Sequence, residues 1–175
     1  MGLGRFKLSE KKESFSIWFT DRSLEGGWSC MMTRSAPKLT YEGAFAILEA
    51  AAAKAKVMKL PICIAVVDDG GHLLAFARKD DAKPSSAAVA ITKATSAALR
   101  RAPTGPLPNE ENVSVLLSLG MPLASGGKLT CVRGGLPIVW KGTVIGGIGI
   151  SAGTEQQDAE VARVAVAALR KNSDK

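Results

Sequence analysis

The sequence predicts an α/β domain of the α+β kind, built as a five-stranded, mostly antiparallel sheet with helices packed over it. Three observations carry this. Helical apolar stripes alternate along the chain with short runs of strand character. Several of the strand runs are joined by glycine turns too short for a crossover, so those neighbours must be antiparallel. Apolar residues make up 46% of the 175 residues, which suits one domain with one core.

The first helix runs from Tyr41 to Lys59. Thr40 suits its N-cap and Glu42 its first turn. Ala44, Ile47, Leu48, Ala51, Ala55 and Met58 form one stripe, and Leu60-Pro61 ends it. Ile62 to Val67 is a continuous apolar run, as expected of a strand covered on both faces. Asp68-Asp69-Gly70-Gly71 is a turn, and His72 to Lys79 returns as the hairpin partner. Pro84 opens a second helix from Ser85 to Arg101, made mainly of small residues. Ala102 to Pro108 is a loop. Asn109 suits the cap of a short helix, Glu110 to Leu119. Three strands follow, Leu129–Arg133, Leu136–Trp140 and Thr143–Ser151, with Lys141-Gly142 turning between the last two. The last strand is rich in glycine, which weakens a sheet unless something packs close to the backbone. Thr154 and Gln157 form a capping box for a final helix through Leu169. The order is α-β-β-α-α-β-β-β-α.

Residues 1–36 carry scattered aromatics and charge with no sustained period. They are expected to be a poorly ordered extension, or else an arm that docks its aromatics on a neighbouring subunit. Residues 37–175 form the single domain. The formal net charge of +7 raises the expectation of an anionic small-molecule partner. Nucleic acid is not expected, because no recognition motif is present and aromatics are only 5%, too sparse for base stacking. No stretch approaches the roughly eighteen apolar residues of a membrane helix. Cys30, Cys63 and Cys131 match neither a redox pair nor a zinc site. Cys63 and Cys131 lie in strand-like runs and are expected as buried, reduced thiols. With no secretory signal, the cytoplasm is the expected location.

Two ordered stretches carry a family resemblance. VVDDGGHLLAFARKDDAKPSSAAVAITKATSAALRR spans Val66 to Arg101, and GGLPIVWKGTVIGGIGISAGTEQQDAEVA spans Gly134 to Ala162. Both resemble the GlcG/HbpS-like family, and the similarity runs from about Leu39 to Leu169. Three departures stand out. Asp80-Asp81-Ala82 replaces the usual Asp-Gly-Ala, Lys141-Gly142 replaces Asp-Gly, and Ala152-Gly153 replaces a frequent Gly-Gly. The resemblance implies a profilin-like sandwich and a homo-oligomer. It also implies heme or corrinoid binding in some members and lyase or deaminase activity in others, so it does not fix an activity.

Lys93 and His72 are the candidate catalytic residues. His72 is the sole histidine, suited to a general base or an axial heme ligand; a solvated turn histidine is the plainer alternative. One histidine cannot make a two-histidine metal site within one chain, so no metal is expected. Lys93 lies mid-helix among small apolar residues, inside the family match. It must snorkel to water or serve an anion, and partial burial would lower its pKa. Arg78 suits a bidentate clamp on a ligand carboxylate, with Asp80 beside it among the candidate ligand-binding residues; a surface salt bridge between Arg78 and Asp80 is the plainer alternative. Arg133, Gly134 and Gly135, with Gly146 and Gly147, suit an anion nest or a tight turn. Asp68 and Asp69 are better placed to shape a turn than to share acid–base work. Glu49 is a weak candidate on the first helix.

The function expected from the residues and the resemblance is a small-ligand domain that binds heme or another tetrapyrrole. The alternative is a cofactor-free lyase or deaminase on a small aromatic or dienoic acid, such as a hydroxylaminobenzoate lyase releasing ammonia in aromatic catabolism. Heme is the cofactor under the first reading and none is needed under the second. Arg78 and Lys93 are expected to hold the ligand's anion in one pocket.

Overall fold

The computed structural model describes residues 32–171. The chain divides after Ser35, and the architecture that follows belongs to the part beginning at Ala36. The expectations for residues 1–31 lie outside the described residues.

Among the described residues the elements are α1 (Tyr41–Val57), β1 (Cys63–Asp68), β2 (Leu73–Arg78), α2 (Ser86–Arg100), α3 (Val115–Ala124), β3 (Gly135–Trp140), β4 (Thr143–Ser151) and α4 (Glu155–Lys171). The sheet has four strands in the order β2-β1-β4-β3. Every neighbouring pair is antiparallel. The fold is therefore α+β, with a four-stranded sheet in place of the expected five.

The missing strand is Leu129–Arg133. Its backbone bonds to side chains instead of to a neighbouring strand. Leu129 donates to Ser125 Oγ at 3.1 Å. Thr130 donates to Ser96 Oγ at 3.1 Å, and that hydroxyl donates back to the Thr130 carbonyl at 3.2 Å. The sheet stops at β3, an edge strand holding Pro137, a residue that cannot donate to a further ladder. Cys131 is consequently only partly buried, a correction to the expected buried thiol, whereas Cys63 is fully buried.

The short helix also begins later than expected. Asn109 caps a turn, accepting from Glu111 and Asn112 at 3.1 and 2.8 Å. A bridge between Pro108 and Val113 then closes the loop. Ser114 becomes the cap, accepting from Leu117 at 3.3 Å. The Thr154–Gln157 capping box forms as expected, with bonds of 2.9 and 3.3 Å.

The two faces of the sheet differ in kind, and β4 makes both of them. Ile148 and Ile150 join Ile64, Val66 and Ile138 against α1 and α4. The alternate residues, Gly147 and Gly149, face α2. A Cβ on Gly147 would strike the Ala94 carbonyl, and one on Gly149 would strike the Ala90 carbonyl. The small residues of α2 and β4 thus face each other, and the close packing anticipated for the glycine strand occurs inside one subunit.

Candidate functional site

Lys93 sits on the buried stripe of α2, with Ala90, Ala94 and Ala97 around it. Its side chain is 2% exposed. The ammonium donates to the Ile150 carbonyl at 2.8 Å and to Asp158 Oδ2 at 2.8 Å. Asp158 lies in the first turn of α4 and is also 2% exposed. Its other oxygen accepts from the Gly153 amide at 3.0 Å. The ion pair ties α2, on one face of the sheet, to α4, on the other. Gly134 provides the passage, since a Cβ there would lie 3.0 Å from Lys93 Nζ and 2.8 Å from Asp158 Cβ. Burial pushes the Asp158 carboxyl up from its ordinary value, against the opposing pull of Lys93 and the Gly153 amide. Lys93 therefore neither snorkels nor stands free to attack a substrate.

The sequence carries a signal for Asp158 that the candidate list lacks. Val161, Ala162 and Ala165 are buried one and two turns later, which puts Asp158 on the apolar stripe of α4. A carboxylate on one apolar stripe and a lysine on another need each other.

The remaining candidates scatter. Arg133 precedes Gly134 in sequence, but its guanidinium is held by Glu110 at 3.1 Å and by Glu155 at 3.2 Å. The Gly135 amide donates to Thr104 Oγ1 at 2.8 Å, so it is already engaged. Gly146 and Gly147 lie in β4, which pairs on both edges. Arg78 is exposed at the end of β2, and Asp80 is exposed just beyond it. Among the described residues they make no ion pair with each other. Strand β1 lies between Arg78 and the β4 carbonyl that holds Lys93, so the two cations do not share one pocket.

His72 is exposed at the β1–β2 turn. That turn is shaped by Asp68 Oδ1, which accepts from Gly70 and His72 at 2.9 and 2.8 Å. Asp69 pairs instead with Lys38 at 2.6 Å. Glu49 is exposed on α1. Burial pushes the Cys63 thiol up more than nearby Arg78 lowers it, which makes it unreactive.

A different region offers surface for a ligand. Helix α3 has no buried residue. Its inner side carries Ser118, Met121 and Pro122 beside the 129–133 segment, and Cys131 Sγ donates to the Ser118 carbonyl at 3.6 Å. Its outer side exposes Leu116 at 82% and Leu123 at 80%.

The sequence profile described as haem degrading protein HbpS-like matches residues 39–167. The chain belongs to the HbpS-like family. Protein GlcG of Escherichia coli is 40% identical over 113 residues, which are 65% of this chain and 81% of GlcG. The corrinoid adenosyltransferase PduO of Citrobacter freundii is 29% identical over 134 residues, 77% of this chain but only 40% of PduO. Among solved structures, HbpS superposes with a TM-score of 0.68 at 30% identity, covering 79% of this chain and 95% of that one. The PduOC–heme complex superposes with a TM-score of 0.67 at 28% identity, covering 75% and 95%. The lyase reading finds no support among these HbpS-like relatives. No described helix is long and apolar enough to cross a membrane.

Proposed function

We propose that this HbpS-like chain binds heme or a related tetrapyrrole. The reading rests on one observation above all. The likeness to the heme complex of PduOC takes in 95% of that chain, so it concerns the whole folded unit.

The residues fit such a group. A tetrapyrrole needs an apolar wall and, for an iron centre, a nitrogen or sulfur donor. Leu117, Met121 and Val132 are exposed apolar side chains in and near α3. Cys131 is a partly exposed thiol against the same helix. Cys131 and Met121 are the soft donors that would face the iron, with His72 as a more distant alternative at the β1–β2 turn. When bound, heme supplies one-electron and small-ligand chemistry at its iron. The chain's own part is to hold the plane and exclude water from one side. The net charge of +7 favours the carboxylates that tetrapyrroles carry.

Self-association belongs to the same proposal. The small-residue surfaces of α2 and β4 are consumed within one subunit, so a second copy has to use another face. The outer stripe of α3, with Leu116, Leu119 and Leu123 exposed, is the apolar surface this reading assigns to it.

Hemin titration of the full chain, followed in the Soret region, tests the reading. A saturable band distinct from free hemin is expected, and Cys131→Ser should shift or weaken it. A spectrum equal to the sum of protein and free hemin would remove the proposal.

A further inference from the structure

A cavity of about 480 Å³ lies between the loop at Glu110, the residue Arg133 and one face of α4, and five of its lining side chains are charged. Gln156, Ala159, Glu160 and Arg163 follow one another at three- and four-residue steps, so they share that face of the helix. The row from Glu155 through Ala159 to Arg163 climbs about 12 Å along the axis. The walls are held from beneath. The first turn of α4 is pinned by its Thr154–Gln157 capping box and by the bonds of Asp158 to Lys93 and the Gly153 amide. Arg133 is followed by the buried pair Gly134 and Gly135.

The charges around this cavity do not cancel where they stand. At one end two carboxylates share one guanidinium. Arg133 donates from Nε to Glu110 Oε1 and from Nη1 to Glu155 Oε2, each at 3.2 Å. The second oxygens of both carboxylates accept no hydrogen bond from any described residue. Glu160 is taken up by Lys54 at 2.6 Å. Arg163, three residues further along α4, is left with no ion pair or hydrogen bond among the described residues. A negative charge is therefore in surplus at the Arg133 end and a positive charge at the Arg163 end, with the Ala159 methyl on the row between them. The N-terminus of α4 balances part of the Glu155 charge, which leaves the surplus on Glu110. Exposed ion pairs add little to stability, so the fold does not itself call for this arrangement.

We infer that this cavity is a binding site for a small zwitterion, with the ligand's ammonium on Glu110 and its carboxylate on the Arg163 guanidinium. A simple acid would answer Arg163 and be repelled by Glu110, and a simple amine would do the reverse. A zwitterion makes a charge-assisted hydrogen bond at each end, and a guanidinium suits a carboxylate bidentately. The spacer between the ligand's charges lies over Ala159, where the wall is lowest. The class is that of amino acids whose amine and carboxylate are set apart by several methylenes. The site takes no residue from α3 and does not depend on the tetrapyrrole reading.

The test is calorimetric titration of the full chain with glycine, γ-aminobutyrate and ε-aminocaproate, each beside the acid and the amine of matching length. At least one of the two longer zwitterions is expected to bind at least about tenfold more tightly than either single-charge analogue, a difference of about 1.4 kcal/mol. Glycine, too short to span the row, should show no such preference. Arg163→Gln should bring the preferred zwitterion down to the level of the amine, and Glu110→Gln to the level of the acid. Ala159→Leu, which fills the middle of the cavity, should weaken it by about tenfold. Glu110 and Arg163 are exposed, and a melting curve checks that their variants fold; Arg163→Lys, which keeps the charge but loses the fork, serves if Arg163→Gln does not and should lose most of the preference. The inference is overturned if no zwitterion binds, if the zwitterions bind no better than their single-charge analogues, or if the preference survives either charge variant.

Discussion

Lys93 reaches Asp158 only because Gly134 leaves the way open, and the three residues stand or fall together. Lys93→Met would leave the Asp158 carboxylate buried without its cation. Breaking such a pair from one side costs about 3–5 kcal/mol, and urea unfolding should read a loss of that order. The double change Lys93→Met with Asp158→Leu removes both charges and is expected to recover much of it. The effect has a pH signature. Burial holds the Asp158 carboxyl above its ordinary value of 3.8, so the folded state binds its proton more tightly than the unfolded chain. The associated stability is present below the unfolded pKa and lost as pH rises through the folded one. Removing Lys93 takes away the main opposing influence and enlarges that loss. Lys93→Met should therefore be less destabilising at about pH 4 than at about pH 7. Backbone conformation gives a second prediction. Ala152 has φ of 107° and Asp81 has φ of 65°, a region that side chains enter at a cost of roughly 1–2 kcal/mol. These are two of the positions where the family resemblance leads one to expect glycine. The departures were visible in the sequence, but their left-handed backbone was not. Ala152→Gly is expected to raise stability by about 0.5–1 kcal/mol after the entropy of glycine is counted, measurable as a higher melting temperature.

The contact of α2 with β4 sets the spacing of the layers. Ala90 and Ala94 present backbone carbonyls to Gly149 and Gly147, so neither strand nor helix can add a methyl without separating. Gly149→Ala is expected to cost at least about 2–3 kcal/mol, in the range of overpacked cores, and could prevent folding outright. Circular dichroism with urea titration would check it; an unchanged midpoint would mean that the helix withdraws freely. At this scale the sequence was most legible where one pattern ruled. Tyr41, Cys63, Thr143 and Thr154 mark element starts within a residue of the expected positions, because caps, turns and apolar runs agree there. It failed at Leu129–Arg133, whose strand-like composition is overridden by hydroxyls from Ser96 and Ser125. Side-chain bonds from distant residues have no local signature. The candidate site suffered for the same reason. Lys93 stands out as an oddity on its own helix, but its partner lies 65 residues later.

At the scale of the domain from Ala36 onward, the described interior is closed and an apolar surface is exposed on α3. The sheet is covered on both faces, the glycines of β4 are consumed by packing, and Lys93 is consumed by its ion pair. Among the described residues the outer stripe of α3 exposes Leu116, Leu119 and Leu123, and it is the surface proposed to hold copies of the chain together. Leu116→Glu with Leu123→Glu should lower the assembly mass in sedimentation without lowering the melting temperature of the subunit by more than a few degrees, since neither side chain is buried. The proposed tetrapyrrole is assigned to the other side of the same helix. Hydrogen–deuterium exchange with and without hemin tests this directly, because it reports where the chain is protected. Protection is expected at Val115–Ala124 and across residues 129–133, with the β1–β2 turn at His72 unchanged. Protection centred on His72, or none anywhere, would contradict the account.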